Sequence, residues 1–321
     1  MIWIGRLGDF LITIPFLDGL RRRFPEARIT VVVAERGREA AELCAGIDEV
    51  LTLGGLSTLR VAAKLAAGRF DLLIDLNSAF SKTSVALSRL AGARVKLAFH
   101  RAKGNRPFTH TEACSDDLHM LDRYELLARA LGAPYEPEAA APLRLDRREE
   151  EAGRDAVRRA SGGGPVVLIH PGNFKKFENR WPEASFAALT ERLLARGRLA
   201  PVYMAGPGEE APVRLIAERI SSRPPVIGPM SLSATAGALM EADLLVVNAT
   251  GTAHLGWLLS VPTFTFLSGY TAKIWMHGPS PLHHQVVSNS WESCRDISVE
   301  AAWAALEPFL ASLPRRAKTS A

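Results

Sequence analysis

The sequence predicts an α/β protein of two Rossmann-like domains facing across a cleft. Three observations carry this. Short continuous runs of Val, Ile and Leu alternate with helix-period segments along nearly the whole chain, as parallel strands covered on both faces require. The alternation breaks between Gly132 and Gly164 and then restarts. A length of 321 residues suits two domains. The expected division is 1–155 and 156–321, with ligands at the carboxyl ends of the strands and in the cleft.

In the first half the strand runs are Ile2–Gly5, Arg28–Ala34, Glu49–Leu53, Asp71–Leu76 and Val95–Phe99. Helical patterns predict helices over Phe10–Arg23, Arg36–Cys44, Leu56–Ala67 and Phe80–Leu90. Asp117–Leu131 adds an amphipathic helix that Gly132 stops. The break holds Ala133-Pro-Tyr-Glu-Pro-Glu138, a charged helix near Arg147–Arg159 and Ser161-Gly-Gly-Gly164. In the second half the expected strands are Pro165–His170, Pro201–Ala205, Pro225–Ile227, Asp243–Val247, Pro262–Leu267 and Gln285–Ser288. The expected helices are Glu183–Arg196, Glu209–Ile220, Ser233–Glu241, Thr252–Leu259 and Val299–Leu313.

Composition narrows the class. A net charge of +5 favours an anionic partner without choosing among nucleic acid, nucleotide and acidic membrane. Cys44, Cys114 and Cys294 are odd in number and far apart, which argues against a disulfide framework or a paired-cysteine zinc site and for the reducing cytosol. Met-Ile-Trp-Ile-Gly at the start is not a secretory signal. No apolar run approaches the ~20 residues that span a bilayer.

The richest segment is Asn248-Ala-Thr-Gly-Thr-Ala-His254, directly after an apolar strand. A strand, a small-residue turn and a helix start leave backbone N–H groups open to an anion such as a diphosphate. Thr250 adds a hydroxyl, Gly251 admits a close ligand, and Thr252 and His254 lie on the first helical turn. A second anion site is expected at His170-Pro-Gly-Asn-Phe-Lys-Lys176. Its Lys175 and Lys176, and Arg180 beyond it, are either a solvated basic loop or phosphate ligands.

In Gly206-Pro-Gly-Glu209-Glu210 two readings stand: acids favoured at a helix start, or a ribose contact. Asp9, in Gly5-Arg-Leu-Gly-Asp9, is either a helix N-cap or a general base at a strand end. His119 and Asp122 have no third ligand at metal spacing. His283-His284 reads as a surface loop. No Asp-x-Asp, Walker loop, nucleophile elbow or Gly-x-Gly-x-x-Gly fingerprint occurs. The missing fingerprint weighs against a nicotinamide-dependent oxidoreductase.

Taken in order, these segments resemble the ADP-heptose:lipopolysaccharide heptosyltransferase family, glycosyltransferase family 9, of the GT-B fold. The resemblance runs through Arg6-Leu-Gly-Asp-Phe-Leu-Ile-Thr-Ile-Pro15, Asp71-Leu-Leu-Ile-Asp-Leu76 and His119-Met-Leu-Asp-Arg-Tyr124. It continues through His170-Pro-Gly172, Arg180-Trp-Pro-Glu183, Ala205-Gly-Pro-Gly-Glu209, Ala249-Thr-Gly-Thr-Ala-His254 and Val261-Pro262.

The resemblance implies a metal-independent, inverting sugar transfer with no cofactor. Asp9 matches the family's catalytic aspartate. The first domain would bind a lipid-linked glycan acceptor and the second a nucleotide sugar, expected to be ADP-heptose. The donor residues would be His170, Gly172, Lys175, Lys176, Arg180, Glu209, Thr250, Gly251, Thr252 and His254. No nucleic-acid partner is implied. The expected location is the cytoplasm, with peripheral contact at the inner face of the inner membrane. The final helix would cross back to the first domain, as in many GT-B proteins.

Two positions depart from the family pattern: Asn179 where a lysine is usual, and Ala249 where an aspartate is usual. They keep two alternatives open, a GT-B transferase using another nucleotide sugar and a catalytically weak nucleotide- or glycan-binding relative.

Overall fold

The computed structural model describes residues 1–138, 142–172, 174 and 179–313. The chain divides into two compact units, Met1–Arg144 and Leu145–Ala321.

The first unit holds strands β1 (Ile2–Trp3), β2 (Thr30–Ala34), β3 (Glu49–Leu53), β4 (Phe70–Asp75), β5 (Ala93–Phe99) and β6 (His110–Glu112). They form one sheet in the order β3-β2-β1-β4-β5-β6, and every pairing is parallel. This is the Rossmann order, whose switch point lies between β1 and β4. The helices are α1 (Leu7–Leu11), α2 (Ile14–Arg23), α3 (Arg38–Leu43), α4 (Ser57–Ala67), α5 (Lys82–Leu90) and α6 (Met120–Leu131). The helix expected over Phe10–Arg23 is thus two helices. Pro15 has no N–H to continue an α-helical ladder. The hydroxyl of Thr13, the residue before α2, donates to Phe10 O at 2.7 Å and closes the first helix instead. Gly132 does stop α6, at φ +60°.

The second unit repeats the plan. Helix α7 (Arg147–Ser161) precedes β7 (Val166–His170), α8 (Glu183–Ala195), β8 (Ala200–Met204), α9 (Glu210–Ala217) and β9 (Val226–Ile227). Then come α10 (Leu232–Glu241), β10 (Leu244–Asn248), α11 (Gly251–Leu258), β11 (Thr263–Leu267), α12 (Gly269–Ile274), β12 (His283–Val287) and α13 (Val299–Ser312). Its parallel sheet runs β12-β11-β10-β7-β8-β9, the same order with its switch point between β7 and β10. A division after residue 155 would have cut α7, which lies whole in this unit. Gly153 of α7 and Gly237 of α10 let the two backbones touch. A Cβ on Gly153 would fall 1.8 Å from Ala234 O, and one on Gly237 1.9 Å from Glu150 O.

Trp181, fully buried, stacks on Phe266 at 3.9 Å and donates Nε1–H to Ile297 O at 2.8 Å. It therefore packs the start of α8 onto the sheet. Helix α13 adds Ala302, Leu306 and Phe309 to the same core and packs on α8 and β12. The segment expected to cross back buries its apolar face inside the second unit. His283 and His284 are not in a loop. They open β12 opposite Thr263 and Phe264, and the His284 ring stacks on Phe264.

Candidate active site

In the second unit the loops after β7 and β10 leave the sheet side by side, since Val247 pairs with His170. Asn248, fully buried, joins them. Its Oδ1 accepts from Trp181 N at 2.8 Å, and its Nδ2 donates to Pro171 O at 3.0 Å and Gly172 O at 3.4 Å. Sequence reasoning had read Asn248 only as the start of a turn. A buried amide needs such partners, but nothing in one sequence says which.

Beyond Asn248 the chain turns through Ala249 into Thr250, the N-cap position of α11, with φ −139° and ψ 172°. The Thr250 side chain does not cap its own helix, and its buried hydroxyl has no hydrogen-bond partner among the described residues. Gly251 and Thr252 are the first helical residues. Their N–H groups are among those a helix leaves open, so hydroxyl and amides together suit an anion. His254, one turn in and buried, meets His277 through Nδ1···Nε2 at 3.2 Å, and His277 stacks on Trp257 at 3.4 Å. The histidine is thus held behind the turn.

His170 ends β7, buried, with Nδ1 on Met204 O at 3.0 Å. Burial lowers its pKa, against the raising influence of the Met204 carbonyl and the Glu209 charge. The ring and the Glu209 carboxylate both lie against Gly172. A Cβ there would be 2.5 Å from His170 Nε2 and 2.9 Å from Glu209 Oε2. Glu209 holds the N-cap position of α9 and accepts from Gly206 N at 3.2 Å. Arg180 is buried, bonds Glu183 at 2.8 Å and lies over the Phe174 ring at 4.5 Å. Lys175 and Lys176 lie outside the described residues.

In the first unit the matching turn follows β1. Arg6, not Asp9, holds the N-cap position of α1, and Asp9 lies on the first helical turn, half-buried. The cap reading of Asp9 therefore does not apply. Its charge reaches the buried Tyr124 phenol, whose pKa is pushed well up first by burial and then by Asp9.

Beneath lies a polar cluster that sequence reasoning missed. Buried Asp75, ending β4, accepts from Ser84 Oγ at 2.8 Å, Asn77 Nδ2 at 2.6 Å and Arg101 Nη1 at 3.0 Å. Asn77 also accepts from Ile4 N at 2.9 Å and donates to Ile2 O at 3.3 Å. It clasps the β1–β4 switch point as Asn248 clasps its counterpart.

Also missed was an open groove of about 340 Å³ beside β3, lined by Arg38, Thr52, Ser57, Arg60 and Lys64. Its cations are scattered over α3 and α4, and no motif marks them. Among the described residues no three His, Cys, Asp or Glu side chains are grouped as a metal site needs. Among them, too, no helix is long and apolar enough to cross a membrane.

Comparison with known proteins adds to this geometry. The family described as Glycosyltransferase family 9 (heptosyltransferase) matches residues 58–299. Lipopolysaccharide heptosyltransferase 1 of Pseudomonas aeruginosa is 25% identical over 307 residues, 88% of this chain and 82% of that protein. A solved glycosyl transferase family 9 protein from Veillonella parvula superposes with TM-score 0.80 at 21% identity, covering 97% of this chain and 96% of the other. Escherichia coli heptosyltransferase WaaC, solved with ADP-2-deoxy-2-fluoro heptose, gives 0.72 at 20% identity, covering 96% and 98%.

Proposed function

The chain belongs to glycosyltransferase family 9, the heptosyltransferases, and from that premise we propose that it moves heptose from ADP-heptose to an inner-core sugar of lipopolysaccharide, with inversion and without a metal or organic cofactor. Similar proteins are heptosyltransferases by name, and one was solved with an ADP-heptose analogue. The observation that carries the reading is Thr250: a buried hydroxyl without a partner among the described residues, set at a helix start.

In this mechanism the diphosphate meets the Thr250 hydroxyl and the first N–H groups of α11. Asp9 takes the proton of the acceptor hydroxyl. The acceptor oxygen bonds to the anomeric carbon from the face opposite the diphosphate, whose bond breaks, so the centre inverts. The charge gathering on the departing ADP is met by fixed dipoles and basic side chains. Glu209 is the residue for the ribose hydroxyls. Arg60 in the first-unit groove is a cation for an anionic acceptor, while Lys64 beside it is paired with Glu49. The enzyme would work in the cytoplasm, in peripheral contact with the inner face of the membrane.

Isothermal titration with ADP in EDTA, with UDP and GDP as controls, tests the donor. Selective ADP binding without metal is expected despite Ala249 and Asn179. Preference for UDP or GDP would move the chain to another nucleotide sugar, and no nucleotide binding would make it a weak or inactive relative.

A further inference from the structure

Acidic side chains are missing from one helical layer of the first unit. Segments 50–70 and 76–111 hold ten Lys and Arg and no Asp or Glu. At the chain's overall frequency of acids, about six would be expected there. Helices α4 and α5, one in each segment, pack on the same face of the sheet. Val61 and Leu65 of α4 share one core with Leu87 of α5 and with Ile2 and Val32 of the strands. The opposite sides of both helices face solvent. Arg60 on α4, Arg69 beyond it, Lys82 and Arg89 on α5 and Arg94 at the start of β5 are all exposed. No acid pairs with any of the five among the described residues.

The same layer concentrates exposed apolar side chains. Nine large ones are exposed among the described residues, and five of them, Leu56, Leu59, Phe80, Leu90 and Val95, lie in these two segments. Scattered singly they would need no explanation. Leu56 is 80% exposed and Leu59 69%. Leu56 holds the N-cap position of α4 and gives no side-chain cap, at a position where leucine is among the least favoured residues. It therefore serves neither the helix nor the core. Arg60 directly follows Leu59, and Leu90 directly follows Arg89. Leucine beside arginine on an exposed helix face suits the boundary of an anionic bilayer. The apolar chain enters the edge of the acyl region while the cation meets phosphate. Other partners fit less well. A second copy seated symmetrically on this face would set the same cations against one another. Nucleic acid would engage the arginines and leave the leucines in water.

We propose that the outer face of α4 and α5 docks the protein on a bilayer rich in anionic phospholipid, with Leu56, Leu59 and Leu90 entering the headgroup boundary and the cations around them meeting phosphates. This rests on the transferase reading above, whose acceptor is lipid-linked; Arg60, assigned there to the acceptor, stands on the same helix. The test sediments wild type, L56N/L59N and R89Q/R94Q with vesicles of phosphatidylcholine alone or mixed with phosphatidylglycerol, at low and high salt. Each protein is also titrated with ADP. Wild type should bind the mixed vesicles and not phosphatidylcholine alone, and salt should weaken the binding. At about fivefold per cation near the surface, R89Q/R94Q should bind about 25-fold more weakly. L56N/L59N should lose at least about tenfold through its apolar contact. All four substituted side chains are exposed, and asparagine is a favoured N-cap residue, so melting temperature and ADP affinity should stay at wild type. Wild type that ignores the mixed vesicles, or either variant binding them as tightly as wild type, overturns the proposal. So does self-association of wild type that L56N/L59N loses with vesicle binding intact, which would make the leucines a contact between copies. Failure of wild type to bind ADP marks failure of the transferase reading, and the vesicle result then judges the docking face separately.

Discussion

Replacing Thr250 with valine should move stability and donor affinity in opposite directions. The Thr250 hydroxyl is buried, has no partner among the described residues and does not cap α11. Valine keeps the shape and suits the extended backbone at φ −139°. Exchanging hydroxyl for methyl removes an unsatisfied buried polar group, a burden of about 1–3 kcal/mol. The free protein should therefore melt at the same temperature or higher. ADP would lose a hydrogen bond to a charged oxygen, about 1.5–3 kcal/mol, which is roughly a 10- to 150-fold weaker Kd. Thermal melting and titration on one preparation read both effects. A lower melting temperature with unchanged ADP affinity would mean that the hydroxyl serves the fold, and the donor assignment would fall.

Asp9→Asn should cut kcat by at least ~100-fold, the usual contribution of a general base, with ADP affinity unchanged; retained turnover would remove Asp9 from that role. Gly237→Ala sets two effects against each other. Helix propensity favours alanine by about 1 kcal/mol, but the new methyl would lie 1.9 Å from Glu150 O, and forcing packed backbones apart costs about 1–3 kcal/mol. The clash should win and lower the urea midpoint; a rise would mean α7 and α10 separate easily. His283 should make the fold acid-sensitive. Burial lowers its pKa from 6.5 to about 4, so below pH 6.5 the unfolded chain takes up a proton that the folded chain refuses, and stability falls until about pH 4. His283→Gln should show a shallower loss of melting temperature across that window, and parallel curves would refute the assignment.

Most strands were legible because they are rich in Val, Ile and Leu, and Glu49–Leu53 was expected to the residue. What escaped was written in polar or short segments. His110-Thr-Glu112 has no apolar pattern, yet it pairs with β5 at the sheet edge. Gly269–Ile274 is a helix of six residues, too short for periodicity to show. His283 and His284 look like loop residues because only their pairing with Thr263 and Phe264, and the stacking of the His284 ring on Phe264, makes them strand side chains. At the site, the Thr250 turn and the Asp9 turn were legible as strand–turn–helix junctions rich in small residues. The Asp75–Arg101 pair and the two asparagines were not. Their partners lie in other strands and loops, and that is information about tertiary structure rather than about spacing.

The two asparagine clasps bear on how such a chain changes over time. Asn248 fastens the loop after β7 to the end of β10 through a side chain, so the frame of the turn does not depend on its neighbours Ala249 and Asn179. Asn77 does the same where β1 meets β4. Residues that touch a ligand can then be exchanged one at a time without moving the backbone that presents them. An ancestor could lose an acidic or basic ligand at positions 249 and 179, keep its scaffold, and be left with a site whose preference is free to drift.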